Sequence, residues 1–377
     1  MKKAFLFLSV LAMLLCACAG QPSETTAPTE SVPDTVEVTF QPNNGDALTV
    51  FTVKKGTTAP EAPVPEKRAC VFSGWYMGET KWDPSAPVEA DVTVTARWAL
   101  AEDAFAPDPN AGKRAEGTDL RVCSFNTLLS SVGSMAPVSP KRDAAFQEMV
   151  SIYGPDIIAL QEQGSDWFDA LLGVFSGTDY KLITGKYPSF GGGSTANNMA
   201  YNSAVLELLE ANLYEYIVGR NMVWAVFETK DDAKQQLIAV STHWTTIEDD
   251  NGRVLQAREM LKQIGKIKEK YPNALVIAMG DFNSWDSYGS YKTVLTEGSM
   301  HDAKYSAKKR GLTAATSHAS LKTKSFTEEK INTAECIDHI FLSEGIESLY
   351  YDTIIDERIY VASDHCAIYA DIQFKTK

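Results

Sequence analysis

Two periodicities divide this chain. Between residues 119 and 377, short apolar runs of strand length recur, Leu237-Ile238-Ala239-Val240 and Ala274-Leu275-Val276-Ile277-Ala278-Met279 being the clearest. Apolar runs without alternation are what strands buried on both faces look like. Helical patterns stand between them. In residues 254–267, Val254, Ala257, Leu261 and Ile264 make one apolar stripe, while Lys262, Lys266 and Lys270 fall on a charged face that reads as solvated helix surface. This alternation predicts an α/β domain, and the stretch is long enough for one large two-sheet core. Upstream the period shortens to two: Val36-Glu37-Val38-Thr39-Phe40, residues 48–53 and residues 92–98 alternate as half-buried strands do. Residues 35–99 are therefore expected to form a separate small β module with Trp75, Tyr76 and Trp98 in its core. Residues 100–118, with Pro107, Pro109 and Gly112, read as a linker.

The apolar runs of the large domain end in a restricted set of polar residues. Leu120-Arg121-Val122-Cys123-Ser124-Phe125 is followed by Asn126, Ile157-Ile158-Ala159-Leu160 by Gln161-Glu162, and the 237–240 run leads to His243. The 274–279 run ends in Gly280-Asp281-Phe282-Asn283, Asp338 stands inside the strand-like Ile337-Asp338-His339-Ile340-Phe341, and Ser363-Asp364-His365 precedes a final alternating stretch. Each taken singly has a plain reading, since Asp, Asn and Gly suit any strand-to-turn junction and a lone histidine is usually structural. Their repetition is harder to assign to turns. A hard divalent cation needs oxygen ligands and proton transfer needs carboxylate and imidazole, and these are the residue types present. Asp338 lies inside an apolar run, where an unpaired charge costs several kcal/mol, roughly, so a partner is required; His365 is the natural candidate.

The order Asn126, Gln161-Glu162, His243, Gly280-Asp281-Phe282-Asn283, Asp338, Ser363-Asp364-His365 resembles the endonuclease/exonuclease/phosphatase superfamily of DNase I-like nucleases, inositol polyphosphate 5-phosphatases and neutral sphingomyelinases. The resemblance covers residues 118–374 and implies a four-layered α/β sandwich of two packed mixed β-sheets flanked by helices. It further implies a Mg²⁺ or Mn²⁺ site made by Glu162 with Asn126 and Asp364. Asp281 would orient and deprotonate the attacking water, and Asn283 would bond the phosphate or that water. Asp338 would hold His365 in its working tautomer, and His243 would donate to the phosphate. Asn198 best matches a phosphate-contacting asparagine, with Asn197 and Asn202 as competitors. Two departures stand out. Leu128 occupies a position that is acidic in repair-type endonucleases, and no glutamate precedes Asn197-Asn198 to pair with His243. Gly191-Gly192-Gly193 lacks a following Gly-Lys-Ser/Thr and reads as a loop at the rim of the site.

The upstream module, with Phe72-Ser73-Gly74-Trp75-Tyr76 at its centre, resembles a Listeria-Bacteroides repeat, a β-grasp-like unit of surface proteins whose ligand would lie at the cell surface. Met1-Lys2-Lys3 and the apolar residues 4–15 form a secretory signal too short to span a bilayer comfortably. Leu15-Cys16-Ala17-Cys18 resembles a bacterial lipobox, so residues 1–17 read as a lipoprotein signal peptide and Cys18 as the lipidated residue; plain secretion with cleavage nearby is the alternative. Residues 18–34, rich in Pro, Thr, Ser and Glu, read as a flexible tether. The protein is thus expected outside the cytoplasm, in the cell envelope, anchored by lipid to the membrane and monomeric. Cys70, Cys123, Cys336 and Cys366 lie in apolar surroundings and read as packed thiols, with a bridge from Cys123 to Cys336 or Cys366 as the alternative.

Charge then narrows the partners. Residues 119–377 hold 25 Lys+Arg against 34 Asp+Glu, and residues 1–118 hold 10 against 15, so both parts are acidic within a total of −14. No counterion-releasing basic surface is evident, which disfavours tight nonspecific binding to polyanions. The reading from sequence is a surface-anchored, metal-dependent phosphoesterase acting by in-line water attack. A nuclease is slightly favoured over a lipid- or inositol-phosphate hydrolase of the sphingomyelinase type. The rival of another class is a non-catalytic surface-binding protein, but a scaffold has no physical need for these groups at successive strand ends.

Overall fold

A computed structural model describes residues 34–128, 139–163, 165–183, 197–217, 220–246, 250–317, 327–333 and 336–375. The signal segment, Cys18, the tether and Gly191-Gly192-Gly193 lie outside the described residues. Among those described, no helix is long and apolar enough to cross a membrane.

The N-terminal module is one mixed sheet of β1 (Thr35–Gln41), β2 (Thr49–Lys54), β3 (Cys70–Met77), β4 (Thr80–Lys81) and β5 (Val92–Leu100), in the order β2-β1-β5-β3-β4. The period-two pattern points Val36, Val38 and Phe40 of β1 inward together with Val94, Ala96 and Trp98 of β5. Aromatic edges close this core, Phe40 on Trp75 at 5.0 Å and Phe72 on Trp98 at 5.6 Å between ring centroids.

Downstream, two sheets face each other. The seven-stranded one runs β15 (Lys309–Arg310), β17 (Ile346–Thr353), β18 (Ile368–Phe374), β6 (Leu120–Asn126), β7 (Ile157–Gln161), β9 (Asn198–Asn202), β8 (Tyr180–Leu182). The six-stranded one runs β10 (Leu206–Glu215), β11 (Asn221–Thr229), β12 (Gln236–His243), β13 (Leu275–Asp281), β16 (Asp338–Ser343), β14 (Met300–Asp302). One apolar cluster, including Val122, Ala159, Ala239, Ile277 and Ile340, fills the space between the sheets. A second joins Phe125 and Leu160 to α1 (Pro140–Tyr153), α2 (Ser165–Val174) and α7 (Glu357–Ala362), and a third joins Val240 and Val276 to α3 (Asp250–Lys270) and α4 (Gly289–Glu297). Helix, sheet, sheet, helix is the four-layered sandwich that the sequence resemblance implied. Because each central strand packs on both faces, its sequence reads as an unbroken apolar run. The stripe of α3 is rotated slightly from expectation: Ala257, Met260, Ile264 and Ile267 are buried, whereas Val254 and Leu261 sit at the rim. All four described cysteines are free thiols.

The module is fastened to the sandwich rather than held off by a loose linker. Arg68 forks onto Asp352 at 2.8 and 2.9 Å, and Asn332, on α6 (Glu328–Thr333), donates to the Trp98 carbonyl at 2.9 Å while accepting from its N–H at 3.1 Å. Residues 101–118 form a strap along the sheet, with Ala104 and Ala111 buried. The fully buried Arg121 explains why the strap lies down: its guanidinium donates to the carbonyls of Ala111 and Lys113 as well as to Asp371 at 2.6 and 2.9 Å. A buried guanidinium must have all its donors met, and the strap supplies acceptors that the sandwich does not.

Candidate active site

Strand direction gathers the polar ends. Asn126, Gln161, His243 and Asp281 close β6, β7, β12 and β13, while Asn198 and Asp338 open the antiparallel β9 and β16. In the six-stranded sheet His243 pairs with Asp281 and Asp281 with Asp338; in the other, Asn126 pairs with Gln161 and Leu160 with Asn198. All six therefore lie along one end of the sandwich. Gly280 is required for this: a Cβ there would collide with the Thr242 carbonyl, so only glycine lets β13 close against β12 and set Asp281 beside His243. Glu162 and Asn283 adopt left-handed backbone, φ 58° and 46°, one and two residues past the ends of their strands. For glutamate that conformation costs about 1–2 kcal/mol, a strain held where a carboxylate must face the site.

Asp281 is the hub. Its Oδ2 accepts from Asn126 Nδ2 at 3.0 Å and lies 3.2 Å from His243 Nε2 and 3.8 Å from His365 Nε2; its Oδ1 accepts from the Asn283 N–H at 3.0 Å. His365 Nδ1 is 2.9 Å from Asp338 Oδ2, so Asp338 has its partner. Burial, then the neighbouring Asp338, push the Asp281 carboxyl up to about 7. Burial works against charge on His365, but Asp338, with Asp281 and Asp364 beyond it, outweighs this and raises the imidazole to about 10. His243 goes the other way, driven well below the ordinary range by burial, Arg220 and His365. Two histidines on either side of one aspartate thus hold opposite charge states near neutrality.

Arg220 was not singled out by the sequence, where it stands alone just before a strand. Its Nη1 lies 2.7 Å from the ring nitrogens of His243, and Asp281 and Glu162 favour its charge against burial. Arg142 was missed as well. Buried against Trp167, it donates to the carbonyls of Thr127, Leu128 and Ala362, tying the turn after Asn126 to the segment before Asp364. Ser363 Oγ donates to the Asn126 carbonyl at 2.5 Å and accepts from the His365 N–H at 3.0 Å. Of the competing asparagines, Asn202 sits at the far end of β9, and Asn197 donates to Asn221 at 2.7 Å. Asn198 is at the site end, fully buried, with an Nδ2 that has no partner among the described residues.

The cation-holding residues can be tested on these contacts. Asp364 Oδ1 is buried without a partner among the described residues, and its carboxyl is raised by burial, opposed by His365 and raised further by Glu162. Two acids so placed, one oxygen unsatisfied, fit a divalent cation. Asn126 fits less well as a ligand. Its Oδ1 already accepts from the Leu128 N–H at 3.0 Å, while its Nδ2 lies 3.2 Å from Glu162 Oε1 and so orients that carboxylate. Among the described residues, Asp281, Asp338 and His365 also lie close enough together to share an ion. These three are also joined by the Asp338–His365 hydrogen bond at 2.9 Å, with His365 Nε2 3.8 Å from Asp281.

The family model described as Endonuclease/Exonuclease/phosphatase family matches residues 123–365, and that of the Listeria-Bacteroides repeat domain matches residues 37–97. No curated protein matches the chain. Among solved structures, an endonuclease/exonuclease/phosphatase from Bacteroides vulgatus is 21% identical with a TM-score of 0.56, covering 68% of this chain and 99% of that one. A mannosyl-6-phosphatase of Bacteroides thetaiotaomicron is 19% identical, TM-score 0.55, over 68% and 100%. TDP2 of D. rerio complexed with single-strand DNA product is 19% identical, TM-score 0.51, over 67% and 98%. At these identities the likeness is one of fold. The family match spans more than half of the sequence, and the chain belongs to the endonuclease/exonuclease/phosphatase family.

Proposed function

We propose that this protein is a divalent-metal-dependent phosphoesterase that hydrolyses its substrate by in-line attack of water. The observation that carries this is the shared position of Asp281, within reach of Asn126, His243 and His365 and raised to about 7. A carboxylate with that affinity for protons is a general base suited to neutral pH. Asn283 donates through Nδ2 to the Trp244 carbonyl and through its backbone to Asp281, which locks the base and leaves the amide oxygen to accept from water. With Nδ1 engaged by Asp338, His365 has Nε2 left to donate a proton to a phosphoryl or leaving oxygen. Arg220, steadied by neutral His243, and Asn198 Nδ2 supply donors for the phosphate. Glu162 and Asp364 would hold Mg²⁺ or Mn²⁺, with Asn126 orienting Glu162. Such an ion, when bound, neutralises charge on the phosphoryl oxygens.

A nucleic-acid phosphodiester is the substrate we favour, on the placement of His243 and His365 about Asp281. The second reading is a small phosphate ester on lipid, inositol or sugar, favoured by the net charge of −14. Anchoring through Cys18 at the outer face of the membrane, supported by the lipobox-like residues 15–18, would present the site to extracellular esters. The test is hydrolysis by residues 35–377 with Mg²⁺ or Mn²⁺, then EDTA, across DNA, RNA, sphingomyelin, inositol phosphates, a sugar 6-phosphate and bis-p-nitrophenyl phosphate. No turnover of any of them, or full activity in His365→Ala or Glu162→Gln, would sink the mechanism.

A further inference from the structure

A cavity of about 720 Å³ lies between the repeat module and the sandwich, sharing no residue with the Asp281 cluster. Three separate segments bring cations to it: Lys67 and Arg68 from the module, Lys113 and Arg114 from the strap, Lys309 and Arg310 from the edge of the seven-stranded sheet. Only two carboxylates, Glu66 and Asp108, share the lining. In a chain with a net charge of −14 this is a local reversal of sign.

The arginines are held by the protein. Arg68 binds Asp352, Arg114 binds Asp156 at 2.7 Å, and Arg310 lies 3.7 Å from Asp46. The lysines are not so matched. Lys67 is only 6% exposed, yet its ammonium meets two carbonyls, Ile331 at 2.5 Å and Asn43 at 3.1 Å, and no carboxylate among the described residues. Burial pushes it down to about 8. The side chains of Lys113 and Lys309 form no hydrogen bond or ion pair among the described residues. A buried ammonium without a counter-ion is costly, and an anion entering the cavity would relieve that cost. Between the cations the lining includes the half-buried Phe72 and Tyr350 and the buried Trp98 and Tyr369, and the volume is that of a small-molecule site.

We propose that this cavity binds a phosphate-bearing small molecule, a sugar phosphate or nucleoside monophosphate, with the phosphate among Lys67, Lys113 and Lys309 and the ring against the aromatic wall. The proposal stands apart from the phosphoesterase reading, because no group at the Asp281 end takes part.

The test is calorimetric titration of the full chain carrying Asp281→Asn, in EDTA, with AMP, glucose 6-phosphate, inorganic phosphate and neutral methyl glucoside. Expected is saturable binding of at least one ester, with a single site. Affinity should fall 10-fold or more in Lys67→Met and in the exposed pair Lys113→Ala/Lys309→Ala, and stay unchanged in Arg220→Ala. The lysine pair guards against a folding failure of Lys67→Met. Absence of heat with both esters overturns the proposal. So does binding lost in Arg220→Ala but kept in the lysine variants, or inorganic phosphate or methyl glucoside binding as well as the esters.

Discussion

Asp281 and Asp338 face each other directly across the antiparallel ladder of β13 and β16, two carboxylates at one register position with His365 reaching both. Like charges so close cannot both be free anions without a cation between them, and His365 is that cation. Asp281 and the imidazole titrate together, and the site's pH behaviour follows from it.

kcat/KM should trace a bell, rising as Asp281 loses its proton near 7 and falling as His365 loses its own near 10. Stability carries the matching signs. The raised Asp281 leaves the folded state holding a proton the unfolded chain has released, so its contribution declines from the ordinary carboxylate range up to about 7. The raised His365 contributes stability fully below the ordinary imidazole range and loses it through about 10. Asp281→Asn should therefore abolish turnover yet melt higher than the unsubstituted protein at pH 8, a gain that vanishes at pH 4. A pH series of activity and of thermal melts checks both arms.

Asp338→Asn removes the anion that holds the His365 proton. The basic limb of the rate profile should move down toward the ordinary imidazole range, and kcat should fall on the order of 10²–10⁴-fold at pH 8, the usual worth of a positioned acid. An unmoved basic limb would assign that limb to another group.

Chelation should silence the enzyme reversibly, with Mg²⁺ or Mn²⁺ restoring it. On the proposed site, in which Asn126 orients Glu162, Asn126→Ala should raise the metal concentration for half-activation by about 10–100-fold, the usual cost of an outer-sphere loss. Metal titration of activity, alongside a metal-dependent thermal shift, reads this directly.

Asn332 links the repeat module to the catalytic end. Its side chain exchanges two hydrogen bonds with Trp98, and its helix joins, through the Lys330 carbonyl, to Ala315, next to Thr316, whose carbonyl and hydroxyl accept from Cys366, Ile337 and Asp338. Asn332→Ala leaves the Trp98 groups unmet and should cost about 1–3 kcal/mol in denaturant unfolding. Unchanged stability would mean that the module's seat does not depend on this contact.

How much of this was legible beforehand varies residue by residue. Asp338 announced a partner because a charge inside an apolar strand must have one, and His365 was nameable because few histidines were available. Asn198 was the best match, with Asn197 and Asn202 competing, until strand direction put Asn202 at the far end of β9 and Asn197 was seen to bond Asn221. Arg220 and Arg142 gave no signal, since an arginine before a strand or on a helix is ordinary until its surroundings are known.

Hydrophobic period alone determined the layers: unbroken apolar runs demanded packing on both faces, and the two-residue period upstream demanded a thin, half-buried sheet. The polar residue closing each run determined what chemistry the chain could hold. Only the tertiary structure decided which of those ends share one edge, because strand order and direction arise from pairings between residues far apart in sequence. It alone also seated the repeat module, through contacts such as Arg68 with Asp352 and Asn332 with Trp98, whose partners are hundreds of residues apart and leave no local periodicity to read.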